Sequence, residues 1–208
     1  MSTAGAIRTE ELMTLDEYLA FEEKSAVRHE YHAGHIYAMA GASVAHEYLQ
    51  HNVNGSFYVR LREKPGKPCR GAGSNQRIRI EASDRSLYPD FTVLCRPERP
   101  SERDPSAIVN PSLIVEILSP STENYDRGEK SRLYAEIPEL RDYILIAQDM
   151  ILVEHYRRGD SGEWILNRYN NRNDVIPLAN LQIELPLDEV YEGIDVPSGL
   201  IVLPQVTE

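Results

Sequence analysis

Glu116 stands alone in an apolar run, Leu113-Ile114-Val115-Glu116-Ile117-Leu118. A continuous apolar run bounded by turn residues reads as a strand buried on both faces of a sheet. A single carboxylate buried there costs on the order of several kcal/mol unless a cation or hydrogen bonds meet it. A second acid, Asp90, follows Pro89 and opens another apolar run, Phe91 to Cys95. Two acids projected from neighbouring strands toward one point make a hard-cation site of the kind that hydrolyses phosphodiesters. Side chains alternate along a strand, so Glu116 shares a face with Ile114 and Leu118. No lysine therefore follows it on that face. Lys130 sits in the next helical segment, where Asp126, Lys130 and Tyr134 are spaced four apart and line one side. A long lysine stem could carry its ammonium back to the carboxylates. An Asp126–Lys130 surface ion pair, with Tyr134 as packing, accounts for the same spacing.

These residues need elements to position them. Thr14-Leu15-Asp16-Glu17 has the capping-box pattern and starts a short helix to about Lys24. Arg28 to Tyr31 and Ile36 to Ala40 form a hairpin about Ala33-Gly34. Ser43 caps a long helix from Val44 to about Lys64, with Val44, Tyr48, Phe57, Val59 and Leu61 among its apolar positions; Pro65-Gly66-Lys67-Pro68 ends it. Arg77 to Ile80 alternates as a half-exposed strand, Ser83 to Ser86 is a turn, and Pro89 begins the Asp90 strand. Arg96 to Pro111 reads as a loop. After the Glu116 strand, Ser119-Pro120 breaks the chain and a helix runs from about Tyr125 to Ile137, stopped by Pro138. Three strands follow near Tyr143–Ala147, Ile151–Arg157 and Trp164–Tyr169. Leu187 to Glu192 forms one helical turn. The expected fold is α/β: a mixed sheet with helices on its faces and an antiparallel extension from Tyr143 to Tyr169.

The 208 residues, 41% of them apolar, suit one domain with elaborations. The expected limits are an N-terminal flexible segment over 1–12, one domain over 13–197 and a tail over 198–208. No apolar stretch approaches the ~20 residues of a membrane span, and no secretory signal is visible, so the expected location is cytoplasmic. Cys69 and Cys95, the only cysteines, are expected as free thiols there. The net charge of −11 opposes nucleic-acid binding at first sight. Between Arg60 and Arg85, however, eight basic residues face three acids, whereas the stretch from Leu181 holds six acids and no lysine or arginine. The basic segment either faces phosphate or solubilises a helix end and a loop.

Pro89-Asp90, the run Glu116 to Thr122, and Asp126, Lys130 and Tyr134 resemble the Uma-two family of restriction-type endonucleases, in the PD-(D/E)xK nuclease superfamily. The resemblance runs from about Met13 to about Pro197. It implies a restriction-endonuclease-like fold in which Asp90 and Glu116 bind Mg²⁺ or Mn²⁺, with the main-chain carbonyl of Ile117 completing the protein ligands. Leu118 holds the place of the superfamily's usual lysine, and resemblance to this branch implies that Lys130 replaces it from the helix. Glu30 lies near the position of an extra acid in the superfamily and is a further candidate ligand; the alternative is a hairpin glutamate paired with Arg28 or a basic neighbour. The implied activity is phosphodiester hydrolysis with DNA as the expected substrate, by a homodimer without membrane association. The rivals are a nuclease-fold module that binds nucleic acid or protein without turnover, and an oligomeric interaction protein.

Other signals carry less. His29, His32 and His35 surround the hairpin turn, but His29 and His32 must face opposite ways, which argues against zinc. His46 and His51 are one residue too far apart for a zinc-protease helix: five residues advance about 500°, leaving the imidazoles ~140° apart. His46 is retained only as a residue near the site.

Overall fold

The structure is a computed structural model that describes residues 12–39, 41–63 and 68–200. The expected N-terminal segment and tail, and the Pro65–Lys67 helix break, lie largely outside the described residues. The Thr14 capping box forms as expected and starts α1 (Leu15–Glu22). A hairpin follows, β1 (His29–His32) and β2 (His35–Ala38). Its two-residue turn has Ala33 at φ 45° and Gly34 at φ 101°, the positive pair a tight hairpin of the primed type requires. Ser43 caps α2 (Val44–Arg62).

The Glu116 strand lies in a six-stranded sheet. In chain order its strands are β3 (Cys69–Gly73), β6 (Phe91–Cys95), β8 (Leu113–Leu118), β9 (Asp142–Ala147), β10 (Val153–Arg158) and β11 (Trp164–Tyr169). Their spatial order is β11-β10-β9-β8-β6-β3. Within this sheet only β8 and β9 run parallel. Parallel neighbours need a crossover, usually helical, and here the crossover carries Lys130. It comprises α3 (Glu123–Tyr125), a π-helical turn (Asp126–Lys130) and α4 (Ser131–Ala135). All of β8 is buried, as the apolar run requires, and β9–β10–β11 is the expected antiparallel extension.

A second, five-stranded sheet has the order β2-β1-β5-β4-β7. Here β4 is Arg77–Ile80, β5 is Arg85–Leu87 and β7 is Ala107–Ile108. The expected turn at Ser83–Ser86 is therefore half strand, and the expected loop up to Pro111 contains β7. Two further strands, β12 (Val175–Leu178) and β13 (Ile183–Pro186), pair antiparallel before α5 (Leu187–Val190).

The layers follow from which faces are apolar. On one side of the six-stranded sheet, Leu49, Val53, Phe57 and Leu61 of α2 pack with Phe91, Val93 and Val115. On the other, Ile114 and Leu118 meet Leu133 and Tyr134 of the crossover and Ile78, Ile80 and Leu87 of the second sheet. Of the apolar α2 positions singled out above, Phe57 and Leu61 are buried, whereas Val44, Tyr48 and Val59 are exposed.

One expectation needs correction. Cys69 and Cys95 are not free thiols but form a disulfide, because the antiparallel register of β3 and β6 sets them opposite each other with Cα atoms 4.0 Å apart. In the basic segment, part of the charge is paired. Arg60 pairs with Glu189, Arg77 with Asp104 and Arg79 with Asp84. Three of its charges are thus met by acids within the chain.

Candidate active site

Antiparallel β6 and β8 pair Phe91 with Val115. One step further along, Asp90 falls opposite Glu116, so both carboxylates emerge on one face at the strand ends. The Ile117 N–H donates to Asp90 Oδ2 at 2.7 Å, which ties the two strands together at the acids. The Gln50 amide on α2 donates to the Asp90 carbonyl at 2.8 Å, and His46 Nε2 lies 3.2 Å from Asp90 Oδ2. The imidazole held in reserve thus touches the site from the capped start of α2, whereas His51 is exposed.

The crossover supplies the cation. Lys130 Nζ is 2.8 Å from Glu116 Oε1, 3.4 Å from Glu30 Oε1 and 3.7 Å from Asp126 Oδ1. Tyr134, one turn on, donates to the same Glu116 oxygen at 2.9 Å. The Asp126–Lys130–Tyr134 face is buried, not a surface ion pair. Its π-helical turn is a form often found at functional sites, and Tyr143 donates to the Asp126 carbonyl there at 3.0 Å. The structure brings Asp90, Glu116, Lys130 and Glu30 to one place.

Charge in this centre is unbalanced. Three carboxylates (Glu30, Glu116 and Asp126) surround one ammonium, and Asp90 lies beside them against His46. Burial pushes Glu116 well above the usual carboxylate range, and Asp90 and Asp126 push it further against the pull of Lys130. Burial also raises Asp126, with Lys130 opposing. Glu30 goes the other way: burial acts to raise it, yet Lys130 and the His32 hydrogen bond hold it at about 2. Burial acts to lower Lys130, but Glu116 and Glu30 hold it well above the ordinary lysine value.

An oxygen-rich, over-negative centre suits a hard divalent cation. Among the described residues no group of three or more His, Cys, Asp or Glu side chains forms a ready-made cage. Mg²⁺, which is commonly held by one or two carboxylates and keeps its waters, fits that donor set. Asp90 and Glu116 are the residues that would hold it. A groove of about 400 Å³ lined by Asn54, Ser74, Asn75 and Gln76 opens beside Gln50.

Two further contacts join the hairpin to the crossover. The Tyr125 hydroxyl lies 3.4 Å from Glu30 Oε2 and 3.3 Å from His32 Nε2. No spacing rule points to a tyrosine one residue before the helical acid. His32 itself was set aside with the hairpin histidines. Their opposed facing does hold: His29 turns away to Glu22, 3.0 Å from its Oε2, while His32 faces Glu30 at 3.4 Å.

Comparison with known proteins places this arrangement. A crystal structure from Anabaena variabilis, described as a "putative nuclease", superposes with a TM-score of 0.68, covering 86% of this chain and 97% of that one at 19% identity. Two Synechocystis proteins are similar in sequence, both described as uncharacterized. One, slr1290, is 35% identical over 86% of this chain and 91% of its own length. The other, sll1609, is 30% identical over 85% and 98%. The Uma2 family model, described as "Putative restriction endonuclease", matches residues 15–188, so the chain belongs to the Uma2 family and carries its restriction-endonuclease-like α/β fold.

Proposed function

We propose that this chain is a metal-dependent endonuclease that hydrolyses phosphodiester bonds, with DNA as substrate and Mg²⁺ or Mn²⁺ as cofactor. The observation that carries the proposal is the convergence of a helix-borne ammonium on a buried strand carboxylate, Lys130 Nζ on Glu116 Oε1 at 2.8 Å, at the end of the strand pair that presents Asp90. The nuclease descriptions of the family and of the Anabaena structure support the same reaction class.

The proposed metal residues are Asp90, Glu116 and the Ile117 carbonyl, with Glu30 beside them. The cation, when bound, supplies Lewis-acid polarisation of the phosphate and acidifies a water. The chain's own groups do the rest. Lys130 brings positive charge to where the phosphate oxygens gain negative charge in the transition state. Tyr134 fixes the Glu116 oxygen that Lys130 also holds. His46 and the Ile117 N–H orient Asp90. Acting in the cytoplasm on DNA, the protein would meet one contrary observation, the Cys69–Cys95 bond, since disulfides are rare in reducing compartments.

Wild type incubated with supercoiled plasmid is expected to nick and linearise it with Mg²⁺ or Mn²⁺ and to leave it intact in EDTA. Asp90→Ala and Lys130→Ala are each expected to slow cleavage by about 100-fold or more. Equal cleavage by all three proteins would assign the activity to another site or a contaminant. The rival without turnover draws on the closure of Lys130 among carboxylates, 6% exposed. Calorimetry with Mn²⁺ decides between them: no heat at millimolar metal, with or without DNA, favours the rival.

Cutting both strands calls for two centres, and a two-fold dimer is the commonest way to provide them. The exposed Val44, Tyr48, Tyr58 and Val59 of α2 offer apolar surface for such contact. Light scattering is expected to give twice the chain mass; a monomer at all concentrations would remove the dimer.

A further inference from the structure

We propose that Arg85, His32 and His35 form a phosphate-binding subsite beside the acid centre, and that it takes a backbone phosphate next to the one cleaved. Only the source of the phosphate rests on the nuclease reading. The subsite rests on register and on orphaned donors.

His32 lies opposite His35 on β2 and opposite Arg85 on β5. Directly opposed residues share a face, so the three side chains form a row across three adjacent strands. Glu30 precedes His32 by two residues and shares that face. The row therefore lies about 7 Å along the strand from the acid that meets Lys130, a distance comparable to one nucleotide step. Tyr125 bridges the two positions, touching both Glu30 and His32.

His32 already meets Glu30 and Tyr125, but the other two groups of this row have unmet atoms. Arg85 Nε and Nη1 and His35 Nδ1 are buried without a hydrogen bond, as is the Ser83 hydroxyl two residues before Arg85. A buried donor left unmet costs about 1–3 kcal/mol. The neighbouring arginines carry no such cost: Arg77 binds Asp104 at 2.6 Å, and Arg79 binds Asp84. Among the described residues no ion pair of that kind meets Arg85, and its partner across the β4–β5 pair is Ile80. The acid on its own face, Glu30, is already met by Lys130, His32 and the Tyr88 N–H. A guanidinium offers five N–H donors in a planar fork and no acceptor, which matches the oxygens of a phosphate. Arg85 and His35 are only partly covered as whole residues while their orphaned nitrogens are buried, so an anion would engage them by a turn of the exposed parts of these side chains.

The test uses two probes on wild type, Arg85→Gln, Arg85→Lys and His35→Phe. The first is inorganic phosphate against chloride at equal ionic strength, followed by the imidazole NMR signals of His32 and His35. Phosphate is expected to move both signals in wild type and neither in Arg85→Gln, with Arg85→Lys intermediate. The second is a fluorescein-labelled oligodeoxynucleotide duplex with Mg²⁺, read by anisotropy, with Glu116→Gln in every protein to prevent cutting. Arg85→Gln is expected to bind it about tenfold more weakly. The slope of log affinity against log salt should fall by about one. Equal phosphate shifts in wild type and Arg85→Gln, or none in either, overturn the subsite whatever the fate of the nuclease proposal. Arg85-dependent phosphate shifts with no duplex binding leave the subsite standing and remove DNA as its source. If Arg85→Gln does not fold, Arg85→Lys and His35→Phe carry the same comparison.

Discussion

Lys130→Met is expected to cost the metal-free protein about 3 kcal/mol of unfolding free energy and to slow cleavage by about 100-fold. Methionine fills the same space but leaves Glu116, Glu30 and Asp126 without the ammonium that sits within 4 Å of each. Removing one partner of a buried ion pair is costly because the other remains as an uncompensated charge. Here the loss is capped, since Glu116 and Asp126 already have raised pKa values and can take up protons. The contribution of Lys130 has a defined pH window. Its folded pKa lies above the ordinary 10.5, so its stabilisation is fully present below that value and is lost only as pH rises through the raised one. Urea unfolding at pH 7 with EDTA measures the cost, and adding Mg²⁺ should restore part of it by supplying another cation. Single-turnover cleavage measures the rate. Unchanged stability would mean that the ammonium does not sit among the acids. Lower stability with an unchanged rate would make Lys130 structural and remove it from catalysis.

How much of this centre was legible depends on whether local pattern or distant pairing decides each part. Glu116 announced itself because a carboxylate in a run of six buried positions breaks a strong local pattern. Helical spacing set Lys130 on one face with Asp126 and Tyr134 but left a surface ion pair equally open, and only the family resemblance assigned it to the acids; the crossover between parallel strands is what brings it over the sheet. The Thr14 cap and the hairpin turn were equally local. The second sheet was not, because β5 and β7 are three and two residues long and exist only through pairing with β1 and β4. For the same reason Arg85 read as part of a turn, and its alignment with His32 was invisible. The exposed α2 positions show the reverse error. Val44, Tyr48 and Val59 are apolar by type, yet the face that packs is set by Leu49, Val53 and Phe57. The Cys69–Cys95 bond joins residues 26 apart through the register of two strands, which spacing alone does not give.

Glu116→Gln should move stability and activity in opposite directions. The glutamine keeps the shape and an oxygen that can accept from Tyr134, while removing one negative charge from a centre that has too many. Lys130 keeps Glu30 and Asp126 as partners. The raised pKa of Glu116 already includes the attraction of Lys130. The ionised carboxylate is therefore less favourable in the folded protein than in water, and a neutral group is preferred. The sign in pH follows. Above the ordinary 4.5, the folded protein holds a proton that the unfolded chain has released. Metal-free wild type therefore loses stability as pH rises from there through the raised pKa. Glu116→Gln should lack that loss, matching wild type near pH 4.5 and exceeding it at pH 8, because the folded chain binds the proton more tightly than the unfolded one. Mg²⁺ should reverse the order at pH 8, because wild type gains binding free energy that rises with metal concentration and the variant loses a ligand. Metal-dependent cleavage by the variant should fall below detection. Urea melts at the two pH values, each with EDTA and with Mg²⁺, give all four comparisons. A variant that is weaker than wild type at pH 8 in EDTA, and that Mg²⁺ stabilises as much as wild type, would show that the Glu116 charge belongs to the fold and not to a metal site.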